Sequence, residues 1–438
     1  MNGSWTRWRT GCALVLAALA VGCAGGAPPP VIVPPPPVVA QVPTVRVGLL
    51  VQAEDVQIGS TGTYAMSDAD GVLVVGTDGD VFSVRREGNR LAVYTPGGDL
   101  VESVEGTLTV EARSENEHVT VNGARYPRRA DIVPDRAGGL TVINVLDVET
   151  YLRGVVPLEI GHREPTLLEA AKAQAVAART YVAAHLGQYA DLGFDLYAGV
   201  RDQVYGPVDR RHPNADRAVW ETRGMILEYE GRPIRANYAS TCGGRTAGVE
   251  ESFDADTIPY LRSHEDKVDG KSMCERSRFF RWEESWDGDE LKAALVRTLP
   301  QVLGRPFEGV GIQDLAPVEK GKSGRIVTLR IVTDKAVYDL HKSQIRQALE
   351  TSGGAPLRST AFAIQTWKRG QWIRMVVAQG SGWGHGVGMC QWGAMQMSQD
   401  GYDYRRILEH YYPDTQLRPW FPSDALSRNR VEMEDGNG

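Results

Sequence analysis

Three groups of residues in this 438-residue chain have side chains able to do chemistry. The first is Glu159, a lone carboxyl among Val155, Val156, Pro157, Leu158 and Ile160. Aliphatic surroundings disfavour a carboxylate and raise its pKa, which would suit a general acid; the competing reading is an exposed Glu before a helix. The second is His385, within GSGWGHGVGMCQWGA, where Gly at 380, 382, 384, 386, 388 and 393 surrounds His385 and Gln391. So much Gly costs chain entropy and implies backbone threading closely beside a ligand or another element. His385 reads either as a site residue or as a structural hydrogen-bonding His. Lacking a second His or a carboxylate at ligand spacing, it is not read as a metal ligand. The third is Ser240-Thr241-Cys242-Gly243-Gly244, hydroxyls beside glycines, which fits either a ligand-approaching loop or a simple turn.

These residues need elements to hold them. Leu168, Ala171, Ala175, Ala178 and Val182 repeat at three- and four-residue steps, predicting a helix with one buried face that starts near Pro165. Its small side chains allow close approach by other backbone. Strands are expected around Ile132 and from Thr141 to Leu146, and as a hairpin at 226–229 and 234–238 around Glu230-Gly231-Arg232. Short β-rich runs with Gly and Asp turns fill 45–125, which reads as an accessory β-domain or as the first part of a larger fold. Further helices are expected at 215–222, 289–299, 342–349, 395–399 and 404–411, with strands at 326–333 and around 361–366. Phe279, Phe280, Trp282 and Trp286 could stack on sugars, although core packing suits most of them better.

The fold class expected is α+β: a β-rich N-terminal region followed by a mixed α/β catalytic domain built around the Ala-rich helix. The length calls for two domains with appendages. The division is 1–23 export signal, 24–44 linker, 45–125 β-rich accessory region, 126–420 catalytic domain and 421–438 disordered polar tail. Composition, at 42% hydrophobic and 24% charged, is that of a soluble globular protein. A formal charge of −7 argues against nucleic acid or an anionic lipid surface as a general partner. Arg7 and Arg9 precede an apolar run from Cys12 to Val21 that is too short to span a bilayer, so export is expected. Leu19-Ala20-Val21-Gly22-Cys23 resembles a bacterial lipobox, although Ala20 stands where Leu is usual, making Cys23 the candidate lipidated residue and a membrane the anchor site. The stretch APPPVIVPPPPVVAQVP reads as an extended polyproline spacer. Of the remaining cysteines, Cys242 and Cys274 are candidates for one disulfide, with Cys390 left over.

Three blocks in order, YLRGVVPLEI through AVAARTYV, ANYASTCGGRT, and GWGHGVGMCQWGA through HYYP, resemble the stage II sporulation protein D (SpoIID) family, with QVYG at 203–206 between the first two. The resemblance covers about residues 126–419. It implies a peptidoglycan lytic transglycosylase acting on glycan strands, including strands stripped of stem peptides, with Glu159 as catalytic acid and base. It also implies roles in sugar binding and Glu orientation for Lys172, Gln174, Arg179, Gln203, Tyr205, Ser240, Thr241, Gly244, His385 and Gln391. For Lys172 and Arg179, solvated or ion-paired structure explains the residues equally well. Some relatives carry a zinc-binding Cys and His cluster just before QVYG, but FDLYAGVRDQVYG has neither residue type, so no metal or other cofactor is expected. Relatives usually have Ser where Cys390 stands, and the thiol reads either as a neutral substitute or as an oxidisable weak point. The family also includes non-enzymatic enhancers of cell-wall amidases, a second reading with an amidase as partner. A hydrolytic muramidase is a third, although no second carboxyl stands out for it.

Overall fold

The computed structural model describes residues 41–161 and 164–421. The export segment with Cys23, the spacer as far as residue 40 and the tail from 422 lie outside the described residues. The described chain is α+β, as expected, with a β-rich beginning.

Alternation along the early strands produces two sheets. Phe82 and Val84 point inward while Arg85 points out, the period of a half-buried strand. One sheet has seven strands in the spatial order Leu196–Tyr197, Thr44–Ala53, Leu140–Asp147, Arg129–Pro134, Leu108–Ala112, Tyr64–Ser67, Val72–Gly76. The other has six: Ala124–Pro127, His118–Val121, Asp55–Ser60, Phe82–Glu87, Arg90–Tyr94, Leu100–Glu105. Val56, Ile58, Leu91, Val110, Ile132 and Val142 fill one core from both. The seven-stranded sheet crosses residue 125, because Arg129–Pro134 pairs with Leu108–Ala112, and Leu140–Asp147 pairs with Thr44–Ala53. The β-rich region thus shares one sheet with strands beyond residue 125. Val45 and Val47 accordingly enter the core of the helical part.

Strand Leu140–Asp147 runs directly into α1 (Val148–Glu159), where the Asp147 side chain caps the helix by accepting the Thr150 N–H at 2.9 Å. A 3₁₀ turn at Pro165–Leu167 precedes α2 (Leu168–His185), the Ala-rich helix. The expected single buried face is an underestimate, since positions 173–180 are buried without interruption. The cause is packing on several sides, by α1, α3 (Pro213–Glu221), the strand Met225–Tyr229, and two C-terminal helices. Ala side chains let these elements approach closely.

The chain continues with α4 (Val249–Ser252), α5 (Gly288–Leu303), α6 (Ser343–Ala348), α7 (Gln391–Gln399) and α8 (Tyr404–Tyr411). Between 282 and 380 lies a third core that the two-domain expectation did not separate. Two three-stranded sheets and α5 enclose Trp286, Leu291, Leu329, Ile331, Tyr338 and Val376. Trp282 and Trp286 are buried here and pack rather than stack on a sugar.

The expected hairpin is shorter than its sequence. Met225–Tyr229 pairs with Arg232–Pro233 on one side and Gln416–Pro419 on the other. Pro233 offers no N–H to extend the ladder. Tyr238–Ala239 then pairs in parallel with Met389–Cys390, bringing the Ser240 loop beside the Gly-rich stretch.

Candidate functional site

Glu159 is the last residue of α1, where the negative end of the helix dipole disfavours a carboxylate. It is half-buried, and its Oε1 accepts the backbone N–H of Val204 at 2.6 Å. Burial raises its pKa more than the hydrogen bonds from Val204, Gln391 and Tyr238 lower it. The carboxyl is therefore biased toward the protonated form while remaining held by three donors.

The QVYG piece supports it. The Gln203 side chain is fully buried: its Oε1 accepts the Tyr151 hydroxyl at 3.1 Å, and its Nε2 donates to the Tyr238 hydroxyl at 3.0 Å. Gln203 thereby fixes the hydroxyl that serves Glu159, and Val204 follows it in the chain. Tyr205 donates to Asn144 Oδ1 at 2.7 Å and packs on α1 at Gly154, where an added Cβ would stand 2.5 Å from its ring. Burial raises the pKa of Tyr151, Tyr205 and Tyr238, so all three stay protonated donors. Gln203 thus holds the Tyr238 hydroxyl that reaches Glu159, while Tyr205 packs against the helix that carries it.

Gln391, first residue of α7, joins Glu159 to α2: its Nε2 donates to Gln174 Oε1 at 3.3 Å. Nε2 of the buried Gln174 has no hydrogen-bond partner. Ser240 is half-buried beside Thr241, whose hydroxyl pairs with that of Ser277 at 2.9 Å. Gly244 donates to the Cys242 sulfur at 3.3 Å and has φ of 102°.

Three expected sugar contacts do not fit their surroundings. Arg179 is fully buried, with a two-pronged ion pair to Glu149 at 2.8 Å for both contacts and a further bond to the Met225 carbonyl. Lys172 is held between Glu169 at 2.7 Å and Glu221 at 2.6 Å. His385 accepts the Val387 N–H on Nδ1 at 3.0 Å and also hydrogen-bonds the Tyr238 backbone. Burial, with the Arg325 and Arg346 charges, pushes its pKa down to about 3. All three side chains are thus engaged by protein partners, and the glycines at 386 and 388 lie against protein atoms. A Cβ on Gly386 would collide with the Arg325 guanidinium, and one on Gly388 with the Asn237 carbonyl.

Cys242 and Cys274 are free thiols with sulfurs 3.5 Å apart, so the expected bridge is not formed. Cys242 instead gives its S–H to Asp266 Oδ2 at 3.0 Å. Sequence reasoning missed Tyr151, Tyr238, Asn144 and Asp266; Tyr151 and Tyr238 stand inside the quoted blocks, whereas nothing local marks Asn144 or Asp266.

The family model described as stage II sporulation protein matches residues 136–229, which contain Glu159, Gln203 and Tyr205. The stage II sporulation protein D of Bacillus subtilis is 29% identical over 64% of this chain and 77% of its own. An uncharacterized protein of Brachyspira hyodysenteriae is 30% identical over 72% of this chain and 76% of its own. This chain belongs to the SpoIID family. The amidase enhancer of Bacillus subtilis, 27% identical, matches 61% of this chain but only 40% of its own length. A domain of unknown function, DUF8618, matches residues 266–388 and so takes in the third core. The SpoIID family is associated with peptidoglycan, and this SpoIID protein has a cell-wall role.

Proposed function

We propose that this SpoIID protein is a lytic transglycosylase that cleaves the bond between N-acetylmuramic acid and N-acetylglucosamine in peptidoglycan glycan strands. The observation that carries the reading is Glu159, a half-buried carboxyl with a raised pKa that is held by the Val204 N–H, Gln391 and Tyr238. With Oε1 accepting from Val204, the proton resides on Oε2. It passes to the glycosidic oxygen as the bond to the muramyl C1 breaks. The carboxylate left behind, stabilised by its three donors, takes the proton of the muramyl C6 hydroxyl. That oxygen attacks C1, closing a 1,6-anhydro ring and restoring the acid. Protons balance across the two steps, and neither water nor a second carboxyl is required.

The same reading places the protein in the cell envelope, exported by its N-terminal segment and anchored to a membrane through lipid on Cys23. A second reading, motivated by the amidase-enhancer relative, has the same site bind glycan without cleavage while a partner amidase is stimulated. Incubating the mature protein with denuded glycan and weighing the products separates the two. New ends lighter by one water support the transglycosylase, and ordinary reducing ends indicate hydrolysis. No release, with an added amidase nevertheless stimulated by both wild type and Glu159→Gln, leaves only the enhancer.

A further inference from the structure

Behind the wall that carries Ser240 and Gln391, four ligand-type side chains converge from three separate segments. Cys242 comes from the Gly-rich loop, Asp266 and Cys274 flank the small hairpin formed by Lys267–Val268 and Lys271–Ser272, and Cys390 immediately precedes α7. All four are buried, none more than 3% exposed. Their ligand atoms lie within 4.8 Å of one another. Cys242 Sγ stands 3.5 Å from Cys274 Sγ and 3.0 Å from Asp266 Oδ2. A tetrahedral zinc ion bound at about 2.3 Å to sulfur and about 2.0 Å to oxygen sets ligand edges of about 3.5–3.8 Å; the Cys242–Cys274 separation is already of that length, and the widest spacing, within 4.8 Å, closes on binding.

The surroundings match a metal site better than a pair of thiols. Backbone N–H groups point at sulfur: Cys242 N–H to Cys390 Sγ at 3.2 Å and Gly244 N–H to Cys242 Sγ at 3.3 Å, which favours thiolates. Asp266 turns one oxygen, Oδ1, to the Tyr411 hydroxyl at 2.8 Å and His410 Nε2 at 3.2 Å, leaving Oδ2 aimed at the sulfurs. Partners that hold one oxygen of a ligand carboxylate in place are the usual outer shell of a metal centre. The buried Arg325 guanidinium, bonded to the Cys242 carbonyl at 3.2 Å, supplies positive charge beside the cluster. A Cys242–Cys274 disulfide would use only two of these groups and leave Cys390 and a buried carboxylate facing it.

We propose that Cys242, Asp266, Cys274 and Cys390 bind one zinc-class divalent ion in a closed tetrahedral site. Binding forms three metal–sulfur bonds and one metal–oxygen bond and releases three thiol protons to solvent. With four protein ligands the ion has no open position and is structural. It clamps the loop carrying Ser240 and Thr241 to the start of α7, where Gln391 reaches Glu159, so it positions the wall without touching substrate.

The test needs no glycan and is independent of the cleavage reading. The full mature chain is purified under reducing conditions with zinc supplied, dialysed against a weak chelator, and assayed by inductively coupled plasma mass spectrometry. About one zinc per chain is expected, with loss in Cys274→Ser and Asp266→Asn. Because those variants could misfold, wild type is also titrated with an organomercurial, which should release the zinc as the three thiols react. After excess small-molecule thiol has displaced the mercurial and been removed together with the released zinc, added cobalt should give the thiolate charge-transfer and tetrahedral ligand-field bands. Wild type that holds no zinc and shows no such cobalt spectrum, or that, when purified without reductant, yields a tryptic map containing a Cys242–Cys274 disulfide, overturns the proposal.

Discussion

Glu159 Oε1 and the backbone N–H of Val204 are joined at 2.6 Å, so the carboxyl at the end of α1 is fixed by the residue after Gln203. The proposed acid and its support thus come from two pieces of sequence 45 positions apart. The donor is a backbone group, which no substitution at 204 other than Pro removes.

Replacing Glu159 by Gln keeps the shape and removes the proton carrier. Release of anhydro ends should fall by about 10²–10⁴-fold, with the far-ultraviolet circular dichroism spectrum unchanged. Retention of more than a tenth of the wild-type rate would place the acid elsewhere.

The raised pKa of Glu159 has a signed consequence for stability. Between the ordinary carboxyl pKa and the raised one, the folded protein keeps a proton that the unfolded chain has lost. This contribution is complete below the ordinary value and is lost as pH rises through the raised one. Glu159→Gln should therefore raise the melting temperature more at pH 8 than at pH 4. An equal change at both would show that the carboxyl is not desolvated. Cleavage, needing the protonated acid, should fall over the same rise in pH.

Tyr238→Phe removes a donor that favours the Glu159 carboxylate. The alkaline limb of the pH–rate profile should move to higher pH. The hydroxyl also accepts from Gln203, and leaving that buried donor unpaired should cost about 1–3 kcal/mol in urea melts. A limb that stays in place, or moves down, would separate Tyr238 from the acid.

Arg179→Ala leaves Glu149 as an unpaired buried charge and should destabilise the fold by about 3–5 kcal/mol. If Arg179 were a sugar contact, the loss would appear in glycan affinity at temperatures where the variant is folded. Affinity should instead be unchanged there.

His385, with a pKa near 3, should show no titration between pH 5 and pH 8. Its ring proton shift in NMR is the direct check. A midpoint in that window would mean that solvent reaches the ring.

Much of the organisation is legible because it is local. Alternating β-branched residues mark the early strands, and three- and four-residue steps place α2 within three residues of where it begins. The aliphatic neighbours of Glu159 signal a desolvated carboxyl, since Val155, Val156 and Ile160 all join the same core. The ordered blocks name the family.

Other roles depend on what arrives from elsewhere in the chain. Arg179 and Lys172 read equally well as sugar ligands until Glu149, Glu169 and Glu221 stand against them. His385 looks exposed by its glycines until Val387 and Tyr238 occupy its ring and Phe253 packs beside it. The cysteines read as a pair with one left over, because spacing along the chain says nothing about Asp266 or about where Cys390 comes to rest. The sequence by itself determined the family and the α+β class and singled out Glu159. Only the tertiary structure decided which polar groups face that acid and which neutralise one another, because burial and partner distance belong to packing and not to the order of residues.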